Sequence, residues 1–291
     1  MDNEPIDFVD PEKHYKCSDY ASCPGFTLLH KWVMMTNKHP ELLLKIEEYL
    51  KVNPEKVDTE NEQGWTALHL SSLNSNKYSS IETVKLLLDN GADPNHNSYL
   101  GMTPLVIASG YTTTDSSIET CELLLEVGTN INMKSLFGWT ALHAAVRQSN
   151  RCSSIETIEL LLKNGANPNI QEIDGYTPLC IAAVNNEKRI WCPKYIDKER
   201  NTKDNISIVL ELLLKSGADP NIKNNMGVVP KIPQKILNDV RFEKLEQENT
   251  NLKYEISFIK KQLNTMIMYH PESDEMKFLR AHFVSNIHHQ S

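Results

Sequence analysis

The sequence predicts an all-α protein, in which a solenoid of stacked helical units is followed by one long amphipathic helix. Three observations predict this class. Glycines recur every 37 residues, at Gly64, Gly101, Gly138 and Gly175. Leucine triplets keep the same step, and a heptad pattern of apolar residues starts near residue 242. A fixed period of this size is typical of stacked repeats, because each unit buries its apolar face against the next one.

Each unit is expected to contain a helix, a turn, a second helix and a hairpin. A threonine precedes the first apolar run, where its hydroxyl can cap a helix, and Pro104 or Pro178 follows it in two units. The leucine triplet fits the buried face of the second helix. The glycine after the triplet suits the left-handed residue that ends a helix. The threonines are Thr66, Thr103, Thr140 and Thr177, and these glycines are Gly91, Gly128, Gly165 and Gly217.

The motif Gly-x-Thr-Pro-Leu-His, followed by Leu-Leu-Leu-x-x-Gly-Ala-Asp-x-Asn, resembles the ankyrin repeat over residues 24–235. We expect five repeats and a C-terminal remnant after an N-terminal segment at 1–23, with a second helix near 40–52 in the first repeat. Val106 and Cys180 depart from the family pattern, which usually has His there. The resemblance implies that His69 and His143 hydrogen-bond where the helix meets the hairpin and take no part in catalysis.

The units are about four residues longer than an ankyrin repeat of about 33 residues. The extra residues lie between the two helices and end in Ser-Ser-Ile-Glu. The S-x-x-E spacing predicts capping boxes made by the first serine of each pair. The fifth unit carries 15 further residues (52−37), and its segment 186–205 is predicted to loop out. Asn205 can cap the helix that follows, but Ile208 stands where the glutamate should be, so only half of a capping box remains. The predicted boxes are Ser79 with Glu82, Ser116 with Glu119, and Ser153 with Glu156.

Composition limits the partners and the compartment. The net charge is −8, from 30 basic and 38 acidic residues without a basic cluster, so we expect no nucleic-acid partner. The chain has no apolar run long enough to span a membrane and starts with acidic and polar residues, so we expect neither membrane insertion nor secretion. The six scattered cysteines suggest reduced thiols. The expected location is the cytoplasm, with the nucleus as the alternative.

No motif for an enzyme is visible in the sequence. It contains neither a nucleophile motif nor a phosphate-binding loop, so we predict a non-enzymatic protein with no cofactor and no metal. His14, Cys17, Cys23 and His30 could ligate zinc, but their spacing matches no usual zinc finger. An unrecognised site in this cluster or in segment 186–205 is the enzymatic alternative.

Large apolar residues flank the glycine that opens each unit. By the resemblance, ankyrin proteins bind partners on a concave side built from the hairpin tips and the first helices, and apolar and aromatic residues are typical of interfaces. Packing against the next hairpin is an equal alternative for Trp65 and Trp139. The predicted protein-binding residues are Trp65, Tyr99, Leu100, Met102, Leu136, Phe137, Trp139, Arg147, Ile173, Asp174 and Tyr176.

The heptad pattern predicts a coiled-coil helix over residues 236–269. Asn249 is a polar a residue of the kind that favours a parallel dimer, and the g–e pairs across a parallel dimer have opposite charges. We therefore predict a parallel homodimer; a helix folded back on the last repeat is the alternative. The predicted dimer residues are Phe242, Leu245, Asn249, Leu252, Ile256, Ile259, Leu263 and Met266, and the g–e pairs are Arg241–Glu246, Glu248–Lys253 and Glu255–Lys260.

The long units with Ser-Ser-Ile-Glu and a C-terminal coil resemble the ankyrin proteins that large DNA viruses encode in expanded families. This resemblance implies a host-interaction role and, for a viral protein, the host cytoplasm. The predicted function is a scaffold that binds an as yet unidentified partner protein. The alternative is a substrate adaptor for a ubiquitin ligase, in which the amphipathic tail at 270–291 recruits the ligase.

Overall fold

The computed structural model describes residues 25–149, 152–187 and 202–269. Those ranges contain α-helices joined by turns and one short 3₁₀ helix, Pro54–Lys56, and no residue in them forms a β-strand. The chain divides into two compact units between Ile236 and Leu237. The helices are α1 (Leu28–Val33), α2 (Leu42–Val52), α3 (Ala67–Asn74), α4 (Ile81–Asp89), α5 (Pro104–Ser109), α6 (Ile118–Glu126), α7 (Ala141–Gln148), α8 (Ile155–Lys163), α9 (Pro178–Glu187), α10 (Thr202–Lys215) and α11 (Gln234–Tyr269).

The first unit is a stack of five helix pairs, from α1 with α2 to α9 with α10, which confirms the predicted all-α solenoid of stacked helical units. First helices pack on first helices, as α3 does on α5 and α5 on α7, and second helices pack likewise. Every residue of α3 is buried, whereas α4 buries only one face, with Val84 and Leu87 at its centre. The core is therefore continuous along the stack, and each repeat contacts its neighbours.

The predicted helix ends are largely confirmed. Thr66 and Thr103 stand at the N-caps of α3 and α5, and their hydroxyls accept hydrogen bonds from the third amide of the helix. Pro104 and Pro178 are the first residues of their helices. Gly128 ends the α6 region with a φ of 85°, a left-handed conformation that glycine adopts without a steric penalty.

The predicted capping boxes of the second helices are wrong by one residue. The helices start at the isoleucine of Ser-Ser-Ile-Glu, so the second serine is the N-cap, and Ser154 accepts the Thr157 amide at 3.2 Å. Ser153 therefore lies one residue before the N-cap, and Glu156 occupies the second helical position instead of the third, so the two do not form a capping box. The second serines are Ser80, Ser117 and Ser154, and the misassigned pairs are Ser79 with Glu82, Ser116 with Glu119, and Ser153 with Glu156.

The first serine of each pair instead joins neighbouring repeats. Ser153 is buried, and its hydroxyl donates to the carbonyl oxygen of Ser109 in the previous repeat, 2.8 Å away. A buried threonine at the start of α8 adds a second link, since the Thr157 and Thr112 hydroxyls lie 2.7 Å apart. The extra residues of the 37-residue repeats therefore take part in buried hydrogen bonds between repeats.

The fifth repeat differs from its prediction at the start of α10. This helix starts at Thr202, so Asn205 lies inside the helix and the predicted half box there is wrong. Residues 188–201, most of the predicted loop at 186–205, lie outside the described residues, whereas residues 186–187 belong to α9.

The second unit consists of α11 from Leu237 onward, as described by the structure. The helix has 36 residues from Gln234 to Tyr269, close to the predicted bounds of 236–269. Side chains 241–262 are all exposed, including the apolar residues of the heptad. The side chains of Leu263 and Met266 and the tail at 270–291 lie outside the described part of the chain. The long helix is confirmed, and its pairing as a coiled coil stays a prediction.

Candidate protein-binding surface

The hairpin between α6 and α7 illustrates how each tip is built. The Ser135 and Trp139 backbones close the hairpin, with 2.8 Å from the Ser135 nitrogen to the Trp139 oxygen. The Gly138 amide donates to the Ser135 carbonyl oxygen at 2.9 Å, which forms a tight turn. The Ser135 hydroxyl accepts hydrogen bonds from the amides of Phe137 and Trp139. These bonds hold the two residues at the tip, Leu136 and Phe137, in one backbone conformation.

The other hairpins start with an equivalent buried polar residue. The Oδ1 atom of Asn61 accepts the Gln63 and Trp65 amides at 2.9 Å. Glu172 uses Oε1 in the same way at its own tip. These residues were not predicted from the sequence, although a polar side chain three positions before each glycine is a visible signal. They are Asn61, Ser98, Ser135, Glu172 and Asn224.

Backbone hydrogen bonds also connect one tip to the next. The Tyr99 amide donates to the Gln63 carbonyl oxygen at 3.0 Å, and the Leu136 amide donates to the Leu100 carbonyl oxygen at 3.0 Å. The Ile173 amide donates to the Phe137 carbonyl oxygen at 2.9 Å. The tips therefore form a continuous row whose backbone groups are paired.

Apolar side chains of this row lie exposed at its centre. We call them the tip row, and each is 50–68% exposed. Within the row, the Tyr99 ring also lies close to Gly64 of the preceding hairpin. Asp174, beside Ile173, is exposed as well. The tip row consists of Tyr99, Leu100, Leu136, Phe137 and Ile173.

The residues after the glycines lie deeper than the tip row. Trp65 is only 6% exposed, which favours the packing alternative over a binding role for this residue. Its ring packs on His69, with ring centroids 5.8 Å apart. The equivalent residues Met102, Trp139 and Tyr176 are half-buried.

The Trp139 ring lies near two side chains of α7. Its ring centroid is 6.2 Å from that of His143 and 5.1 Å from the guanidinium carbon of Arg147. Arg147 is exposed, so the pair presents an apolar ring and a positive charge at the same place. This arrangement can contact both apolar and acidic groups of a partner.

The repeat histidines are structural. The Nδ1 atom of His69 accepts the Thr66 amide at 3.1 Å, so Nε2 carries the proton and donates to the Met102 carbonyl oxygen. Burial lowers the pKa of His69 to about 4, and that of His143 is also lowered to about 4 for the same reason. Neutral rings with both nitrogens occupied have no free group for catalysis, which agrees with the role implied by the resemblance.

The described residues offer little for other chemistry. They contain no group of three His, Cys, Asp or Glu side chains placed to hold a metal ion. His14, Cys17 and Cys23 lie outside the described residues. Burial raises the pKa of the Cys121 thiol to about 12, so it is not a thiolate nucleophile at neutral pH. No helix in the described ranges has both the length and the apolar character needed to cross a bilayer.

Comparison with known proteins agrees with this geometry. The chain is similar to the ankyrin repeat proteins L289, L86 and L91 of Acanthamoeba polyphaga mimivirus. It is 41% identical to L289 over 99 residues, 33% identical to L86 over 105, and 36% identical to L91 over 86. These matches cover 33%, 35% and 28% of the chain, but only 18%, 18% and 13% of the three relatives.

The sequence model for ankyrin repeats in three copies matches overlapping stretches of the chain. The matched stretches are residues 9–98, 29–135, 75–172 and 113–224, which together cover most of the chain. The described part of this region folds into stacked helix pairs whose hairpins carry the row of exposed tips. The chain therefore belongs to the ankyrin-repeat family.

Proposed function

We propose that this protein is a non-enzymatic scaffold that binds a partner protein through the tip row. The observation that carries the proposal is the set of exposed apolar side chains on backbone-paired turns. Contiguous exposed apolar groups are typical of interaction sites, and large apolar anchors often carry most of the binding energy. The tip row is therefore the central contact of the proposed site.

The residues around the tip row complete the proposed surface. Trp139 and Arg147 add an aromatic ring beside a positive charge, while Met102, Tyr176 and Asp174 border the row. A preorganised backbone lowers the entropic cost of binding, because the turns do not have to be ordered by the partner. Trp65 is no longer part of the proposed surface, because it is buried.

The mimivirus relatives support a narrower biological proposal. Ankyrin repeats generally mediate protein–protein interactions, and the relatives are viral ankyrin proteins. We propose that the chain binds a host protein in the host cytoplasm.

A second copy of the chain completes the proposed assembly. The exposed apolar residues of α11 support a homodimer in which each chain contributes one helix. Two copies of the array would then bind a repetitive or dimeric partner with avidity, even where each single contact is weak.

The test is a comparative pull-down from the cells that express the protein. Leu136→Ser with Phe137→Ser removes two large side chains of the tip row without touching the core. Leu44→Ser with Val127→Ser is the matched control, because both of those apolar residues are exposed away from the tips. We expect a partner that wild type and control capture and that the tip variant loses, with the circular dichroism of all three unchanged.

Two other outcomes of this pull-down would argue against the tip row or for the alternative function. A partner that the tip variant retains contradicts the tip row as the binding site. Capture of ligase subunits that is lost when Met276–Ser291 is removed supports the alternative function as a ubiquitin-ligase adaptor.

A further inference from the structure

The apolar stripe of α11 is large and exposed. Because the helix runs without a break, heptad spacing places the a and d residues on one side of it. The five large apolar residues among them are 52–64% exposed. They are Phe242, Leu245, Leu252, Ile256 and Ile259.

The residues that flank this stripe carry a charge pattern with an orientation. In a parallel, in-register pair each g residue faces the e residue five positions later in the other chain. Every charged pair of this kind has opposite signs, and two-fold symmetry makes each one occur twice. The pairs are Arg241–Glu246, Glu248–Lys253 and Glu255–Lys260, and all six side chains are exposed.

The antiparallel pairing of the same stretch fits the charges less well. There, g residues face g residues and e residues face e residues of the other chain. Glu246 would face Lys260 favourably, but Glu255 would face Glu255, and Lys253 would face Lys253. Like charges in direct opposition cost free energy, so the antiparallel pair loses what its favourable contacts gain.

Asn249 adds a second, independent preference. In the parallel pair it faces the Asn249 side chain of the other copy, and the two amides can hydrogen-bond to each other. In the antiparallel pair it faces Ile259, which leaves a polar amide against an apolar side chain. A buried amide without a partner is costly, and this penalty would occur twice.

We infer that α11 pairs with α11 of a second copy in parallel and in register, and that the g–e charges together with Asn249 select this arrangement. The inference rests on the proposed homodimer and specifies its orientation. Both arrays are then attached to the same end of the coil. The charge pattern also acts as a recognition code, since a related chain with different e and g residues would pair less well.

The test uses full-length protein and analytical ultracentrifugation. A basic variant carries Glu248→Lys and Glu255→Lys, and an acidic variant carries Lys253→Glu and Lys260→Glu. Each variant turns two of the three pairs into like charges, so its dissociation constant should rise about a hundred-fold. An equimolar mixture of the two should form a heterodimer at twice the chain mass of 33.2 kDa.

The variant with all four substitutions reports the orientation. In the parallel arrangement all swapped pairs regain opposite charges, so the dimer should return to wild-type strength. In the antiparallel arrangement Lys260→Glu would place a second carboxylate opposite Glu246, and the dimer should weaken further. Lys244→Glu with Lys261→Glu is the matched control, because these residues occupy heptad positions c and f, which lie away from the partner helix. The dimer of this control variant should stay near wild-type strength.

The possible failures are distinguishable. A wild-type chain that sediments as a monomer at micromolar concentration overturns both the homodimer and its orientation. A wild-type dimer that the four-substituted variant weakens overturns the parallel orientation alone. Equal dimerisation of every variant overturns the charge code. Circular dichroism checks that helix content is unchanged, as expected because Glu and Lys have similar helix propensities.

Discussion

The Nε2 atom of His69 donates a hydrogen bond to the Met102 carbonyl oxygen, 2.9 Å away in the next repeat. The Nδ1 atom accepts the Thr66 amide, so the neutral ring joins a helix cap to the following hairpin. His30 and His143 make the same link to the carbonyl oxygens of Trp65 and Tyr176. Protonation of such a ring would break the bond at Nδ1 and place a charge in the core.

We therefore predict that the array loses stability in mild acid. Burial lowers the pKa of His30, His69 and His143 to about 4, whereas an unfolded histidine titrates near pH 6.5. Between these values the unfolded chain binds more protons, so stability is complete above pH 6.5 and is lost as the pH falls towards 4. Urea unfolding at pH 7 and pH 5 should differ by about 2 kcal/mol per histidine.

A double variant separates the histidines from the carboxylates that also titrate. Valine stands naturally at the equivalent position 106, so His69→Val with His143→Val should fold. We expect lower stability at pH 7, because two links between repeats are lost, and a smaller difference between pH 7 and pH 5. A pH dependence as steep as that of wild type would show that other groups cause it.

The glycine pair Gly138 and Gly128 tests how closely the hairpins approach each other. Both have a positive φ, but a Cβ on Gly138 would lie 2.8 Å from the Cα of Glu172, while one on Gly128 meets nothing within 4 Å. Gly128→Ala should cost about 1 kcal/mol of unfolding free energy, from backbone strain alone. Gly138→Ala should cost about 3 kcal/mol or more, since the neighbouring backbone must also move.

Thermal or urea unfolding of the two glycine variants measures this difference directly. Equal losses would mean that the neighbouring hairpin can shift away from residue 138 at little cost. A larger loss for Gly128→Ala would contradict the close approach of the hairpins.

Much of the fold was predictable because its signals repeat. The step of 37 residues, the threonine caps and the glycine ends each follow from a local rule that holds in several units. The burial of Trp65 did not follow from such a rule, because the sequence around it matches that of Trp139, which is half-buried. Whether the side chain at this position is buried depends on the neighbouring repeat, which no local pattern describes.

The capping serine of each Ser-Ser pair likewise could not be identified from the local sequence. Either serine can cap a helix, and the choice depends on where the helix starts. Burial of Ser153 against Ser109 decides it, since a contact between repeats removes the first serine from the cap. The tip-holding residues, such as Asn61 and Ser135, recur three positions before each glycine, but their residue types differ from repeat to repeat, so their shared hydrogen bonds to the tip amides were not predicted.

The two serines of one turn should therefore respond differently to alanine. Ser154→Ala removes a helix cap, and we expect a loss of about 1 kcal/mol. Ser153→Ala leaves a buried carbonyl group of Ser109 without this donor, and we expect about 1–3 kcal/mol. The distinguishing measurement is amide hydrogen exchange. Ser154→Ala should speed exchange only at the start of α8, whereas Ser153→Ala should also speed exchange in the turn after α5. Matching exchange profiles would contradict the separate roles.

Ser135 offers the sharpest test of tip preorganisation. Its hydroxyl accepts the Phe137 and Trp139 amides, while the hairpin itself is closed by backbone bonds. Ser135→Ala should reduce global stability by only about 1 kcal/mol, yet raise amide exchange at Phe137 and Trp139 about ten-fold. Ser149→Ala is the matched control, because that buried hydroxyl donates to Val146 at the end of α7, away from the tips. If the tip works by preorganisation, Ser135→Ala should also weaken partner binding even though it leaves every side chain of the tip row in place. Faster exchange with unchanged affinity would show that the side chains bind without a fixed backbone.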